Sequence, residues 1–95
     1  MKKYSEIAEI TSTFLLGKLQ KLTMEYVNPE NLKVSILYED AYDYYYDYDL
    51  IIDPETKKYD FLSHSSVNPL FRFSLDRDQK FEEAVCTYLC KSLAI

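Results

Sequence analysis

Residues 42–53, YDYYYDYDLIID, alternate with period two, and that alternation limits the chain more than any other feature. The even positions read Tyr42, Tyr44, Tyr46, Tyr48, Leu50 and Ile52; the odd ones read Asp43, Tyr45, Asp47, Asp49, Ile51 and Asp53. Successive side chains of a strand point to opposite faces, so this spacing writes an aromatic and aliphatic face against an acidic one. At a helical period neither face would be apolar, and Tyr and Ile favour strands. The acidic row has a cost. Asp47 and Asp49 would sit about 6.6 Å apart on one side of a strand, and each such pair repels by roughly 0.6 kcal/mol in water. Alternating acids also keep a tyrosine-rich strand from pairing with other chains.

The other elements are placed around that strand. Residues 5–26 read as a helix: Ser5 as N-cap, then Ile7, Ile10, Phe14, Leu15, Leu19, Leu22 and Tyr26 at 3–4 spacing, with Gly17 marking a bend or a close contact. Asn28-Pro29 stops it. Leu32, Val34, Ile36 and Tyr38 alternate as a first strand. A turn follows at 39–43, then a second strand at 44–53. Asp53-Pro54 opens another turn. A third strand is expected at 59–63, a loop at 64–69 and a short fourth strand at 70–75. Asp76 is the expected cap of a closing helix, with Gln79 in the capping-box position. Phe81, Ala84, Val85, Tyr88, Leu89 and Leu93 form its apolar face. The expectation is one α+β domain spanning 1–95, an antiparallel meander of three to four strands flanked by two helices, α-β-β-β-β-α. Tyr46, Tyr48, Tyr59, Phe61, Phe71 and Phe73 are expected on the helix-covered face. Leu37, Ile51, Leu62 and Leu70 are expected with Asp60 and the odd-numbered acids on the other, left open or covered by one helix in a three-layer domain.

Ninety-five residues with 47% hydrophobic composition support a folded core, not an acidic disordered tail. The net charge of −5 is concentrated. Residues 39–60 hold eight acids, two lysines and six of the ten tyrosines, and no Lys or Arg occurs from Val34 to Thr56. That sign argues against direct binding to nucleic acid or to an acidic membrane surface. No apolar run exceeds three residues, which excludes a helical membrane span. No signal-peptide core follows Met1-Lys2-Lys3. With two cysteines, Cys86 and Cys90, the expected compartment is a reducing cytoplasm. The single glycine excludes phosphate-cradling loops.

Catalytic and metal chemistry finds little purchase. His64, the one histidine, stands in Ser63-His64-Ser65-Ser66 with Asp60 upstream. A small hydrolase built on it is the weakest reading, because neighbours in a loop rarely form a nucleophile–base–acid set. Cys86 and Cys90 at i, i+4 lack two further zinc ligands and read as small apolar residues. Asp43, Asp47 and Asp49 fail the calcium-loop pattern, with Tyr48 at the glycine position and Pro54 at the bidentate glutamate. Arg72, Arg77 and Lys80 read as a small solvated patch beside the closing helix. No cofactor or metal is expected.

Residues 39–60, about a quarter of the chain, resemble in character the small bacteriophage inhibitors such as anti-CRISPR proteins. They also resemble the acidic immunity proteins that neutralise nuclease toxins. The resemblance rests on acid and tyrosine content and transfers no individual residue. It implies a non-enzymatic inhibitor that occupies a basic, nucleic-acid-handling surface of another protein (a CRISPR effector or a nuclease), in part as a nucleic-acid mimic. The expected contact residues are Asp43, Tyr45, Asp47, Asp49 and Asp53, with Tyr42 and Tyr44 near the turn. Acids steer and tyrosines anchor in such interfaces. The alternative is a general interaction or self-association module using Leu37, Ile51, Leu62 and Leu70. Either fits a monomer or a homodimer.

Overall fold

The computed structural model describes residues 2–68, 70 and 72–93. It has the expected class: α1 (Lys2–Leu15), four strands β1 (Lys18–Tyr26), β2 (Leu32–Glu39), β3 (Tyr45–Asp53) and β4 (Lys58–Ser66), then α2 (Gln79–Leu93). The strands form one antiparallel sheet in the order β1-β2-β3-β4.

Register explains the core. Residues opposed across an antiparallel pair share a face. Leu32, Val34, Ile36 and Tyr38 of β2 lie opposite Ile52, Leu50, Tyr48 and Tyr46 of β3. These join Ile7 of α1 and Phe81, Val85 and Leu89 of α2 in one cluster. Each fully buried aliphatic there contributes about 1.5–3 kcal/mol. Both helices therefore cover the same face, and the domain has two layers. Among the described residues nothing covers the opposite face as a third layer.

Two element assignments need correction. The expected helix over 5–26 ends at Leu15, and 18–26 is strand β1. A bulge between Leu19 and Lys21 puts Leu19 on the same face as Leu22, so the strand imitates a helical three-residue spacing. Gly17 makes the reversal feasible. A Cβ there would lie 2.5 Å from Tyr38 Cδ2 and 3.2 Å from the Glu39 carbonyl oxygen. The second correction concerns 64–75. β4 runs on to Ser66, and among the described residues of the segment beyond it, where a strand at 70–75 was expected, only Ser74 forms a bridge, to Ser65. Phe71, expected on the core face, lies outside the described residues, as does Pro69. Phe73, also expected there, is exposed. The cap of α2 is Asp78 rather than Asp76: its Oδ1 accepts the Phe81 amide at 3.0 Å.

Candidate functional site

The β2–β3 connection is a tight tip. Asp40 organises it: Oδ1 accepts the amides of Tyr42 (2.8 Å) and Tyr44 (3.0 Å), and Oδ2 accepts the Tyr46 hydroxyl (2.7 Å). Desolvation raises the Asp40 pKa, but the Tyr46 hydroxyl and the two amides outweigh it and hold the carboxyl below its usual value. Asp43 takes a left-handed conformation (φ 65°), which Asp tolerates better than most residues. With the turn backbone satisfied from within, the rings of Tyr42, Tyr44 and Tyr45 are left in solvent, Tyr42 at 80% exposure.

The chain returns to this tip after β4. The Val67 amide donates to the Tyr45 carbonyl at 3.1 Å, and the Ser66 amide to the Phe73 carbonyl at 3.0 Å. Tyr44, Tyr45, Tyr46, Ser66, Asn68 and Phe73 then line a cleft of about 210 Å³. A second cleft of about 250 Å³, bounded by Leu37, Asp43 and Val67, shares Tyr44, Tyr45 and Asn68 with it.

The seven expected contact residues fall into three groups. Tyr42, Asp43, Tyr44 and Tyr45 meet at the tip. Asp47 and Asp49 lie half-buried in the middle of the open face. Asp53 ends β3, about 26 Å from Tyr45 along the strand. There its Oδ1 accepts the amides of Glu55 (3.0 Å) and Thr56 (3.2 Å) and shapes the next turn. Asp53 is thus occupied locally and is separated from the rest.

Asp47 and Asp49 interact with each other. Burial and then the Asp49 charge push the Asp47 carboxyl up to about 6, against the opposing pull of Lys33 and Arg72. Ser63 Oγ donates to Asp49 Oδ2 at 3.2 Å. Asp49 Oδ1 is buried with no hydrogen-bond partner among the described residues. A proton taken up by Asp47 in mildly acidic solution relieves its repulsion with Asp49.

His64 sits in the core. Its Nδ1 donates to the Asp76 carbonyl at 2.9 Å, which leaves Nε2 to accept the Tyr38 hydroxyl at 2.6 Å. Tyr48 stacks on the imidazole at 4.3 Å. Burial lowers the His64 pKa and keeps the ring neutral. Ser63 and Ser65 point to the other face of β4, opposite Asp49 and Asp47, and Asp60 lies opposite Ile51. The arrangement does not bring His64 together with Ser63, Ser65 or Asp60; Ser66 shares its face of β4.

Beside it lies a second buried group that sequence reasoning missed. Glu82 has no exposed surface; Arg77 Nη2 reaches its Oε1 at 2.5 Å, and the Tyr48 hydroxyl donates to its Oε2. Tyr48 accepts the Asp78 amide at 2.7 Å in turn. Burial and the Glu82 hydrogen bond raise the Tyr48 pKa. Arg77, expected as a solvated cation, thereby ties the start of α2 to β3. Cys86 and Cys90 are buried with Sγ atoms 3.8 Å apart, and burial, then the Cys90 thiol, pushes the Cys86 thiol up to about 12. A thiol held protonated in this way is inert. Among the described residues no three His, Cys, Asp or Glu side chains are grouped to hold a metal ion.

No protein-family model, curated protein or solved structure matches the chain. No helix among the described residues is long and apolar enough to cross a membrane.

Proposed function

We propose that the protein is a non-enzymatic binding protein of the inhibitor type. It docks through its tyrosine tip on a basic surface of a protein that handles nucleic acid. One observation carries the reading: Tyr42, Tyr44, Tyr45 and Phe73 are all exposed around a single end of the sheet. Tyrosine is a strong interface anchor because it offers large area, a polar end and few rotamers to lose. A folded chain gains nothing in stability from leaving four rings in water, so their exposure fits an intermolecular role. Glu39, Asp40 and Asp43 surround the rings, and the chain's net charge of −5 selects a cationic partner.

The acidic row contributes less to this reading than the tip does. Asp53 serves its turn, and Asp47 lies beside Asp49 with Lys33 and Arg72 offsetting its charge. These acids steer approach; the rings hold the complex. A cytoplasmic setting belongs to the same proposal and agrees with two free, buried cysteines. A self-association reading draws on the exposed Leu62 and Leu70. It requires contacts that do not weaken with salt.

The test is affinity capture from a bacterial lysate with the wild type, a Tyr42→Ser/Tyr44→Ser variant and an Asp47→Asn/Asp49→Asn variant. Circular dichroism checks that each is folded. The expected result is capture of a nucleic-acid-handling protein by the wild type and the aspartate variant, loss with the tyrosine variant, and displacement by added DNA or RNA. Capture by all three, undisturbed by nucleic acid, removes the reading.

A further inference from the structure

The tip has a shape of its own, and the shape narrows what it holds. The cleft lined by Tyr44, Tyr45, Tyr46 and Phe73 is about 210 Å³. Pockets for drug-sized ligands run to about 300–1,000 Å³, so this one suits a single side chain. Its walls are mainly aromatic faces, with Ser66 and Asn68 as neutral polar groups. Aromatic faces carry negative potential and attract cations. Two carboxylates lie near the cleft without lining it. Asp43 bounds the adjoining cleft, which shares Tyr44, Tyr45 and Asn68. Glu39 lies directly opposite Tyr45 across the β2–β3 pair. Hydrogen bonding to Glu39, burial and the Asp43 charge together hold the Tyr45 phenol above its usual pKa, so both acids are close to this ring.

We propose that the cleft between Tyr44, Tyr45 and Phe73 is an arginine-binding subsite, taking one guanidinium of a protein partner with Asp43 and Glu39 as its counter-charges. Arginine fits better than lysine for three reasons. Its guanidinium is planar and stacks on tyrosine and phenylalanine rings, it is more weakly hydrated than an ammonium, and its fork of donors meets a carboxylate with two bonds. Asn68 Oδ1 already accepts the Leu70 amide at 2.9 Å and has a second lone pair for a remaining N–H. The inference rests on the tip being the binding surface and adds the chemistry of its central contact.

The experiment is an amide NMR titration of the full chain with acetyl-Gly-Arg-Gly-amide and, separately, with acetyl-Gly-Lys-Gly-amide. The shifts are expected to concentrate at Tyr44, Tyr45, Asn68 and Phe73, with tighter binding of the arginine peptide. Phe73→Ser removes one exposed ring and no core contact, and should weaken the arginine peptide by roughly two- to fivefold. Asp43→Asn, which keeps the left-handed turn accessible, should weaken it as well. Shifts spread over the acidic sheet face, equal for both peptides and unchanged in Phe73→Ser, would overturn the subsite and leave only general charge attraction. Capture of a basic partner through the tip without any peptide effect at the cleft would also overturn it while the proposed function stood. Cleft binding of the peptide with no basic protein captured would support the subsite and remove the proposed function instead.

Discussion

Glu82 is a charged group with no exposed surface, and the chain keeps it there with two donors. A buried carboxylate that loses its partner typically costs about 3–5 kcal/mol. Arg77 retains 43% side-chain exposure, so part of its attraction is screened. Arg77→Leu should therefore lower the urea unfolding midpoint at pH 7. Replacing Glu82 with Gln in the same background should recover part of the loss, because the buried charge is then gone.

His64 and Asp47 give the protein opposing pH responses. Burial holds the folded His64 pKa below its ordinary 6.5. The unfolded chain therefore takes up that proton first as the pH falls. The stabilisation from neutral His64 is complete above about 6.5 and is lost as the pH falls toward the folded value. Asp47 is raised from 3.8 to about 6, so the folded chain holds a proton in that window that the unfolded chain has released. Burial of its charge and then repulsion with Asp49 cost stability above pH 6, and both are relieved on acidification. Asp47→Asn should stabilise the protein at pH 7.5, by under about 1 kcal/mol given solvent screening, and should give no gain at pH 4.5. Unfolding midpoints at the two pH values provide the check.

At the scale of elements, the α1–β1 junction is where the sequence misleads. Leu15, Leu19, Leu22 and Tyr26 satisfy a helical stripe, and a strand with one bulge produces the same spacing. Apolar periodicity alone does not separate the two. The physical marker was Gly17, since Tyr38 needs the space that a Cβ would fill. Tyr38 has little freedom to yield because it stacks on Tyr46 at 5.2 Å and bonds His64. Gly17→Ala should cost about 1–3 kcal/mol. The preceding Leu16 has φ 53° and is 82% exposed, so its backbone is strained and its side chain contributes no packing. Leu16→Asn should stabilise by about 0.5–1 kcal/mol, since Asn tolerates the left-handed helix terminus better. Thermal unfolding of the pair should move in opposite directions.

Other elements were legible for clear reasons. β3 follows from strict alternation, and the inward placement of Tyr46 and Tyr48 follows from its parity. α2 follows from its apolar face, although Glu82 on the buried side does not. The candidate site was half legible. Tyr42–Tyr45 stand out by composition, and a turn at 39–43 was expected, although the part Asp40 plays in it was not. Asn68 and Phe73 were not, because their place at the cleft depends on how 67–75 returns along β4. That is a long-range arrangement without a local pattern.

The whole molecule separates its tasks by face and by end. One sheet face and both helices form the core. The edge strand β1 carries Lys18, Lys21 and Glu25 together with its bulge, devices that discourage pairing with another sheet. The open face is mixed in charge, with Lys33 and Arg72 beside Asp47. Among the described residues the β2–β3 end gathers the exposed rings of Tyr42, Tyr44, Tyr45 and Phe73 beside Asp40 and Asp43, and that asymmetry supports the proposed binding there.

The most direct measurement is the affinity of a captured basic partner for three proteins: wild type, Tyr42→Ser/Tyr44→Ser and Asp47→Asn/Asp49→Asn, by calorimetry at low and high salt. Anchoring by the tip predicts a loss of roughly thirtyfold or more for the tyrosine variant, the scale of a hot spot. It predicts less than about tenfold for the aspartate variant, with that loss shrinking as salt rises. The reverse order, with the aspartate variant losing most of the affinity and the tyrosine variant binding normally, would contradict the account and return the function to the acidic row.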